Sequence, residues 1–398
     1  MKTIKRLKVI AFVFCLILVV EIFYVIRHLT YDSKESLYFD GINSIVVSDK
    51  YYVTVGSNNN NEKKYEKAKI SKYNASKEKT FEKMYSIGYN SAFFGVCVDG
   101  DEIVAVGSYE KSKKDHENLI RRALIVKYNE NGEVEFSNDF KLLDNSKYTS
   151  IIKYDDGYYA VGQSIYKNTK IGSEEGGAIL VKYDLDGNLV WSKVYGNNKS
   201  AVYNDLLIYD NYIYVVGMND NYLGIICKYD LDGNLISNNV YDATDDTGFS
   251  GIVNLGDRLF VSSSKRENSI TNAMIVEYDS DCEYVNEVVY NSDGNTRFNK
   301  LIIDNEDNLI AIGIKTTDKK DSSKTADVLN YDGLIGKYKS DLSEVSVLVY
   351  GDDRDDYFTD ITLEDNNYLV VGYSSYEDGS YLSKFIRYSD ALKVLGVE

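Results

Sequence analysis

Residues 204–241 read NDLLIYDNYIYVVGMNDNYLGIICKYDLDGNLISNNVY, four short apolar stretches separated by turn chemistry. Asn204–Ile208 and Tyr212–Val216 flank the turn Asp210-Asn211. Gly224–Tyr229 and Leu235–Tyr241 flank Asp230-Leu231-Asp232-Gly233. Val, Ile, Leu and Tyr fill the stretches, while Asn, Asp and Gly fill the gaps, which predicts four strands joined by tight turns.

The unit recurs along the chain. An apolar strand ending in Val-Gly or a close variant appears at Val55-Gly56, Val106-Gly107, Val161-Gly162, Val216-Gly217, Ile312-Gly313 and Val371-Gly372. A further copy, Leu259 to Ser263, carries Ser263 in the glycine slot. Alternating with these is an apolar pair followed by Lys-Tyr-Asp or a relative, with tyrosines at 73, 128, 183, 229, 278, 338 and 388. Successive spacings are 55, 55, 46, 49, 60 and 50 residues, by subtraction of those positions. No stretch after Ile26 keeps a 3.6-residue apolar period. Four short strands per unit is a blade signature, although kelch and WD40 motifs are both missing. The sequence therefore predicts an all-β, seven-bladed β-propeller of four-stranded antiparallel blades over residues 36–398, preceded by one transmembrane helix. Ser36–Phe39 and Leu392–Val397 both resemble a fourth strand, and either one completes the last blade.

The stretch from Lys182 to Gly196 (KYDLDGNLVWSKVYG) resembles the bacterial extracellular β-propeller repeat family, whose units share Lys-Tyr-Asp-x-x-Gly-x-x-x-Trp. The likeness covers about residues 36–398. Trp191 is the only tryptophan, with Phe136 and Ser237 at equivalent sites, and blades one and seven lack the Asp-x-Asp-Gly turn. The resemblance implies a surface-exposed binding or scaffolding propeller and no particular activity.

The N-terminus sets the expected compartment. Lys2, Lys5, Arg6 and Lys8 precede an apolar run from Val9 to Ile26 that only Glu21 interrupts. Eighteen residues at about 1.5 Å each span about 27 Å, enough for a bilayer core. Cys15 lies mid-segment behind Phe14, a poor lipoprotein signal, and no small-residue cleavage site precedes Arg27. The expectation is an uncleaved signal anchor in residues 1–28, a linker at 29–35, and a cell-membrane protein with cytoplasmic N-terminus and extracellular propeller. A cleaved signal peptide is the alternative.

Residues 29–398 carry 40 basic and 61 acidic side chains, the totals of 45 and 62 less five and one in the N-terminal segment. Their net charge of −21 repels phosphate backbones, so nucleic acid is excluded as a partner. Cys97, Cys227 and Cys282 show neither disulfide nor zinc spacing. His28 and His116, the only histidines, leave triad chemistry without a positioned base.

Asp184 and Asp186, and Asp230 and Asp232, sit in turns that offer two carboxylates each to calcium without a distal bidentate Glu. Asx-capped hairpin turns are the preferred reading, so no cofactor is expected. An aromatic precedes each first strand (Phe93, Tyr148, Tyr203, Phe249, Phe298 and Phe358, with Ile42 in the first unit). Blade packing is preferred there over a sugar- or peptide-binding ring at the channel mouth. Long connections Ser57–Lys67, Ser108–Arg121, Gln163–Gly176 and Lys315–Asp332 fall on one face, together with Asp245, Asp246, Asp352, Asp353, Asp355 and Asp356. That face is the expected site for a protein or carbohydrate partner. The functional expectation is a non-enzymatic binding or scaffold module. The alternative is an extracellular hydrolase using two loop carboxylates about 5–10 Å apart with raised pKa.

Overall fold

The computed structural model describes residues 40–48, 50–59, 65–112, 119–140, 145–168, 173–196, 201–241, 247–267, 269–319, 328–351, 354–376 and 380–397. The apolar run Val9–Ile26 and both histidines lie outside these residues. Among the described residues, no helix is long and apolar enough to cross a membrane. They form seven four-stranded sheets, each taken from consecutive strands, with every neighbouring pair antiparallel. The fold is a seven-bladed β-propeller, with blades at 40–85, 91–139, 146–195, 202–240, 251–290, 296–350 and 356–397.

Blades stack face to face, so the second and third strands of each are covered on both sides. Tyr212–Met218 and Gly224–Asp230 are therefore buried almost without a break, which accounts for the continuous apolar runs IYVVG and GIICKY. Fourth strands lie at the rim, and Leu235–Val240 is mostly exposed.

The repeated glycine has a steric cause. In blade four, Tyr203 pairs with Gly217 and Asp205 with Val216, so Asn204 bulges out of register. The bulge brings the first strand so close that a Cβ on Gly217 would be driven into the Val202 carbonyl. The same clash waits at Gly56, Gly107, Gly162, Gly313 and Gly372. In blade five the first strand, Gly251–Leu255, begins just past the bulge position, and Ser263 takes the glycine's place, its hydroxyl donating to the Thr247 carbonyl at 2.8 Å.

The aromatics before the first strands are packing residues. Phe93, Tyr148, Tyr203, Phe249, Phe298 and Phe358 are all buried. Each meets the tyrosine of its own blade's Lys-Tyr phrase edge to face, with centroids 6.0–6.4 Å apart. The turn glycine and the fourth-strand aromatic also prove to be two halves of one contact. Gly132, Gly187 and Gly233, all at positive φ, press on Phe81, Phe136 and Trp191 of the preceding blade, with no room for a side chain between.

The C-terminal strand Val394–Val397 completes blade seven, and blade one is complete from Asp40 onward, so the ring closes without exchanging a strand. Ile42 and Ile45 pack on Leu369 and Val371 across that seam.

Candidate functional site

The residue that follows each bulge points down the axis. Ser44, Gly95, Ser150, Asp205, Lys300 and Asp360 occupy equivalent register positions and line an axial channel of about 380 Å3. Lys300 Nζ lies 2.7 Å from Asp205 Oδ2. Asp205 also accepts the Ser150 hydroxyl at 2.8 Å and the Ile252 amide of the next blade at 3.2 Å. Asp360 repeats the pattern at the seam, accepting the Ser44 hydroxyl at 2.7 Å and the Ile45 amide at 2.9 Å. Burial pushes the Asp360 carboxyl above the usual range, and Lys300 pulls it partly back. Desolvation works against the Lys300 ammonium, yet Asp205 and Asp360 hold its pKa above the ordinary lysine value.

Sequence reasoning missed this cluster, although the signal was there. Two residues after each pre-strand aromatic, the repeats read Ser, Gly, Ser, Asp, Gly, Lys and Asp, and the charges stand out once the copies are aligned. A carboxylate hydrolase needs lone pairs for a substrate proton and a water. Here both carboxylates are committed to the first strand of the following blade. The cluster joins blades.

The bulged residue supplies a second joint. Asn43 donates to the Phe93 carbonyl (2.8 Å), Thr149 to Tyr203 (2.6 Å), Asn204 to Phe249 (2.6 Å), Asn299 to Phe358 (3.4 Å) and Thr359 to Ile42 (2.7 Å). Each bond runs from one blade to the next, and the last spans the seam.

On the face expected to carry long loops, much of the added length is strand. The ladders of blades two, three and six run on to Ser112↔Leu119, Asn168↔Ser173 and Lys319↔Val328. Within the described residues those connections leave the ring as paired β-hairpin arms, because the chain keeps its backbone bonds paired there. Of the acidic candidates there, Asp245, Asp246, Asp352 and Asp353 lie outside the described residues. Asp356 turns inward: it is 3% exposed, pairs with Lys384 at 3.0 Å and accepts the Ser374 hydroxyl. Asp355 is half-buried and accepts the Tyr331 amide at 3.1 Å.

Beside Asp355 lies a tyrosine cluster that the sequence did not announce. Ring centroids run Tyr331–Tyr357 at 5.1 Å, Tyr357–Tyr373 at 4.9 Å in a stacked pair, and Tyr373–Tyr381 at 5.9 Å. All four are half-buried, and they come from four strands of blades six and seven with no repeat between them. Burial first, and the Asp355 carboxylate next, raise the phenol pKa values of Tyr357 and Tyr381.

The Asp-x-Asp-Gly turns lie at the opposite end of the strands. Asp184 Oδ1 accepts the Asn188 amide at 2.7 Å, and Asp230 Oδ1 accepts the Asp232 and Asn234 amides at 3.0 and 2.8 Å. Hydrogen bonds within the turn hold both carboxyls below the ordinary range, chiefly from Asn188 for Asp184, and against a desolvation cost for Asp230. Asp186 and Asp232 are exposed at the turn tips. No group of three or more His, Cys, Asp or Glu suited to a metal occurs among the described residues.

No family model matches the chain, and no curated protein matches it. Solved structures do. The chain is similar to the WD40 β-propeller domain of Doa1, at 11% identity over 88% of this chain and 95% of that one, with TM-score 0.52. It is similar to the Kuenenia stuttgartiensis hydrazine synthase, at 10% identity over 88% and 96%, with TM-score 0.51. The polysaccharide lyase Uly1 aligns at 9% identity over 87% and 89%, with TM-score 0.50. Likeness at this level carries the propeller architecture and nothing finer.

Proposed function

We propose that the chain is a membrane-anchored, non-enzymatic binding module that captures a cationic segment of a partner protein on its hairpin face, outside the cell. The observation that carries this reading is the Tyr331–Tyr357–Tyr373–Tyr381 cluster bordered by Asp355. Stacked tyrosine faces attract guanidinium and ammonium groups, and an adjacent carboxylate adds a directed ion pair. The net charge of −21 over residues 29–398 steers cations toward the ring. The KYDLDGNLVW phrase supports a place among the bacterial extracellular β-propeller repeats. Four basic residues before Val9 support an anchor with the propeller outside.

The test is capture of an oligo-arginine peptide by the full chain in nanodiscs. Tyr357→Ala with Tyr373→Ala should weaken it about tenfold or more, in line with loss of a cation–π anchor. Raised salt should weaken it further. Unchanged capture by the double variant would remove this face as the site. Protease added to intact cells should degrade the propeller; protection of it would overturn the topology.

A further inference from the structure

The six blade interfaces inside the chain fill one position at the rim in two ways. Where the fourth strand offers an aromatic (Phe81, Phe136 or Trp191), the next blade's turn offers glycine. Where the fourth strand offers Ser237, Asn286 or Ser346, the turn offers a larger side chain instead: Cys282, Leu342 or Leu392, each buried. Ring and space, or space and plug, complement each other every time.

At the seam neither half is present. Arg387 pairs with Gly396 as Lys182 pairs with Trp191, so Gly396 stands in the aromatic position. A Cβ there would meet nothing within 4 Å. Opposite it, Lys77 occupies the turn position at φ 65°, and its amide donates to Asn74 as Gly187 donates to Asp184. The Lys77 side chain does not plug the gap, because it runs to Glu364 with Nζ 3.1 Å from the carboxylate. What remains is a cavity of about 190 Å3. Tyr73 and Phe385, in edge-to-face contact at 5.5 Å, form part of its wall, and Leu369 and Leu395 add apolar surface. A cavity of about 150 Å3 with apolar walls holds one benzene ring, so this larger one takes an aromatic system of one or two fused rings with a short substituent.

The polar side of the cavity sets the sign of that substituent. Lys77 and Arg387 both reach Glu364, Arg387 through Nε at 2.6 Å, and the Tyr52 hydroxyl donates to the same carboxylate at 2.7 Å. Two cations share one anion. An incoming carboxylate meets the Lys77 ammonium and the Arg387 guanidinium at the mouth and apolar rings behind them.

We propose that the seam between blades seven and one is a binding slot for a small aromatic acid, an aryl carboxylate whose ring takes the place that Trp191 fills four interfaces earlier in the ring's own repeat. The site is separate from the hairpin face and stands or falls independently of it.

Indole-3-acetate is the probe, titrated into the full chain in nanodiscs by calorimetry, with neutral indole beside it. Wild type should bind the acid about tenfold more tightly than indole, the value of one charge-assisted contact. Gly396→Trp should abolish binding of both, and its new emission should be blue-shifted as its indole fills the slot. Gly396→Ala, which leaves the slot open, should bind like wild type and so controls for folding. Lys77→Met should keep indole binding while erasing the preference for the acid. No binding by wild type at millimolar probe, or binding that survives Gly396→Trp in a folded protein, would overturn the proposal.

Discussion

The seam and the interface between blades three and four differ at the rim and agree at the axis. At the rim, blades three and four are locked by Trp191 on Gly233, while the seam has Gly396 opposite Lys77 and an open cavity. At the axis the two are alike: Thr149 donates to Tyr203 O as Thr359 donates to Ile42 O. Asp205 receives the Ile252 amide at the next interface as Asp360 receives the Ile45 amide at the seam. Closure therefore resides in the inner strands, repeated blade after blade. The rim is left to vary, and variation there is where a ligand site can arise without opening the ring.

The largest effect should come from the inner edge. Gly313→Ala drives a methyl into the Arg297 carbonyl and should cost more than about 4 kcal/mol in denaturant unfolding. Ser263→Gly, at the same repeat position in blade five, where a side chain is accommodated, should cost about 1 kcal/mol for its lost hydroxyl bond. Near-equal losses would show that the clash with the first strand is not the cause.

Asp205→Ala removes the carboxylate that holds Lys300, Ser150 and the Ile252 amide together and should cost about 3–5 kcal/mol. At the rim, Trp191→Gly copies the seam's empty slot into an intact interface and should cost about 3–5 kcal/mol. Gly396→Trp should instead raise the melting temperature. Thr359→Val removes the seam's inner bond and should cost about 1–2 kcal/mol.

The smallest effect concerns pH. The folded-state pKa of Asp360 is raised by burial, so its contribution is fully present below the unfolded pKa of about 4 and is lost as pH rises through the folded value. Asp360→Asn should flatten that part of the stability profile while leaving the Asp205–Lys300 pair in place. An unchanged profile would separate Asp360 from the acid response.

Blade number, strand order and the Val-Gly positions were legible because each copy of the repeat restates them. Choosing between the two closing strands was not possible, since Ser36–Phe39 and Leu392–Val397 match the pattern about equally; the structure places Val394–Val397 in the sheet. Asp356 read as a surface acid because its neighbours at 352–355 are mostly Asp. Only the fold shows it buried against Lys384, a partner 28 residues on in sequence. The tyrosine cluster was illegible for a related reason: its rings converge from four strands and no copy of the unit repeats them. The empty slot was half visible, as an absent Trp and an absent turn glycine in blades seven and one. Those absences gain meaning only when the two blades meet.

Hydrogen exchange at the seam distinguishes closure at the inner edge from closure at the rim. The Ile45 and Ile252 amides make the same inner-edge bond, to Asp360 and Asp205 respectively, and should exchange with equal protection near the global unfolding limit. Amides of Val394–Val397, in a fourth strand paired at only three positions, should exchange far faster. Exchange at Ile45 as fast as at Val394–Val397, with Ile252 still protected, would mean that the ring is not closed at its inner edge.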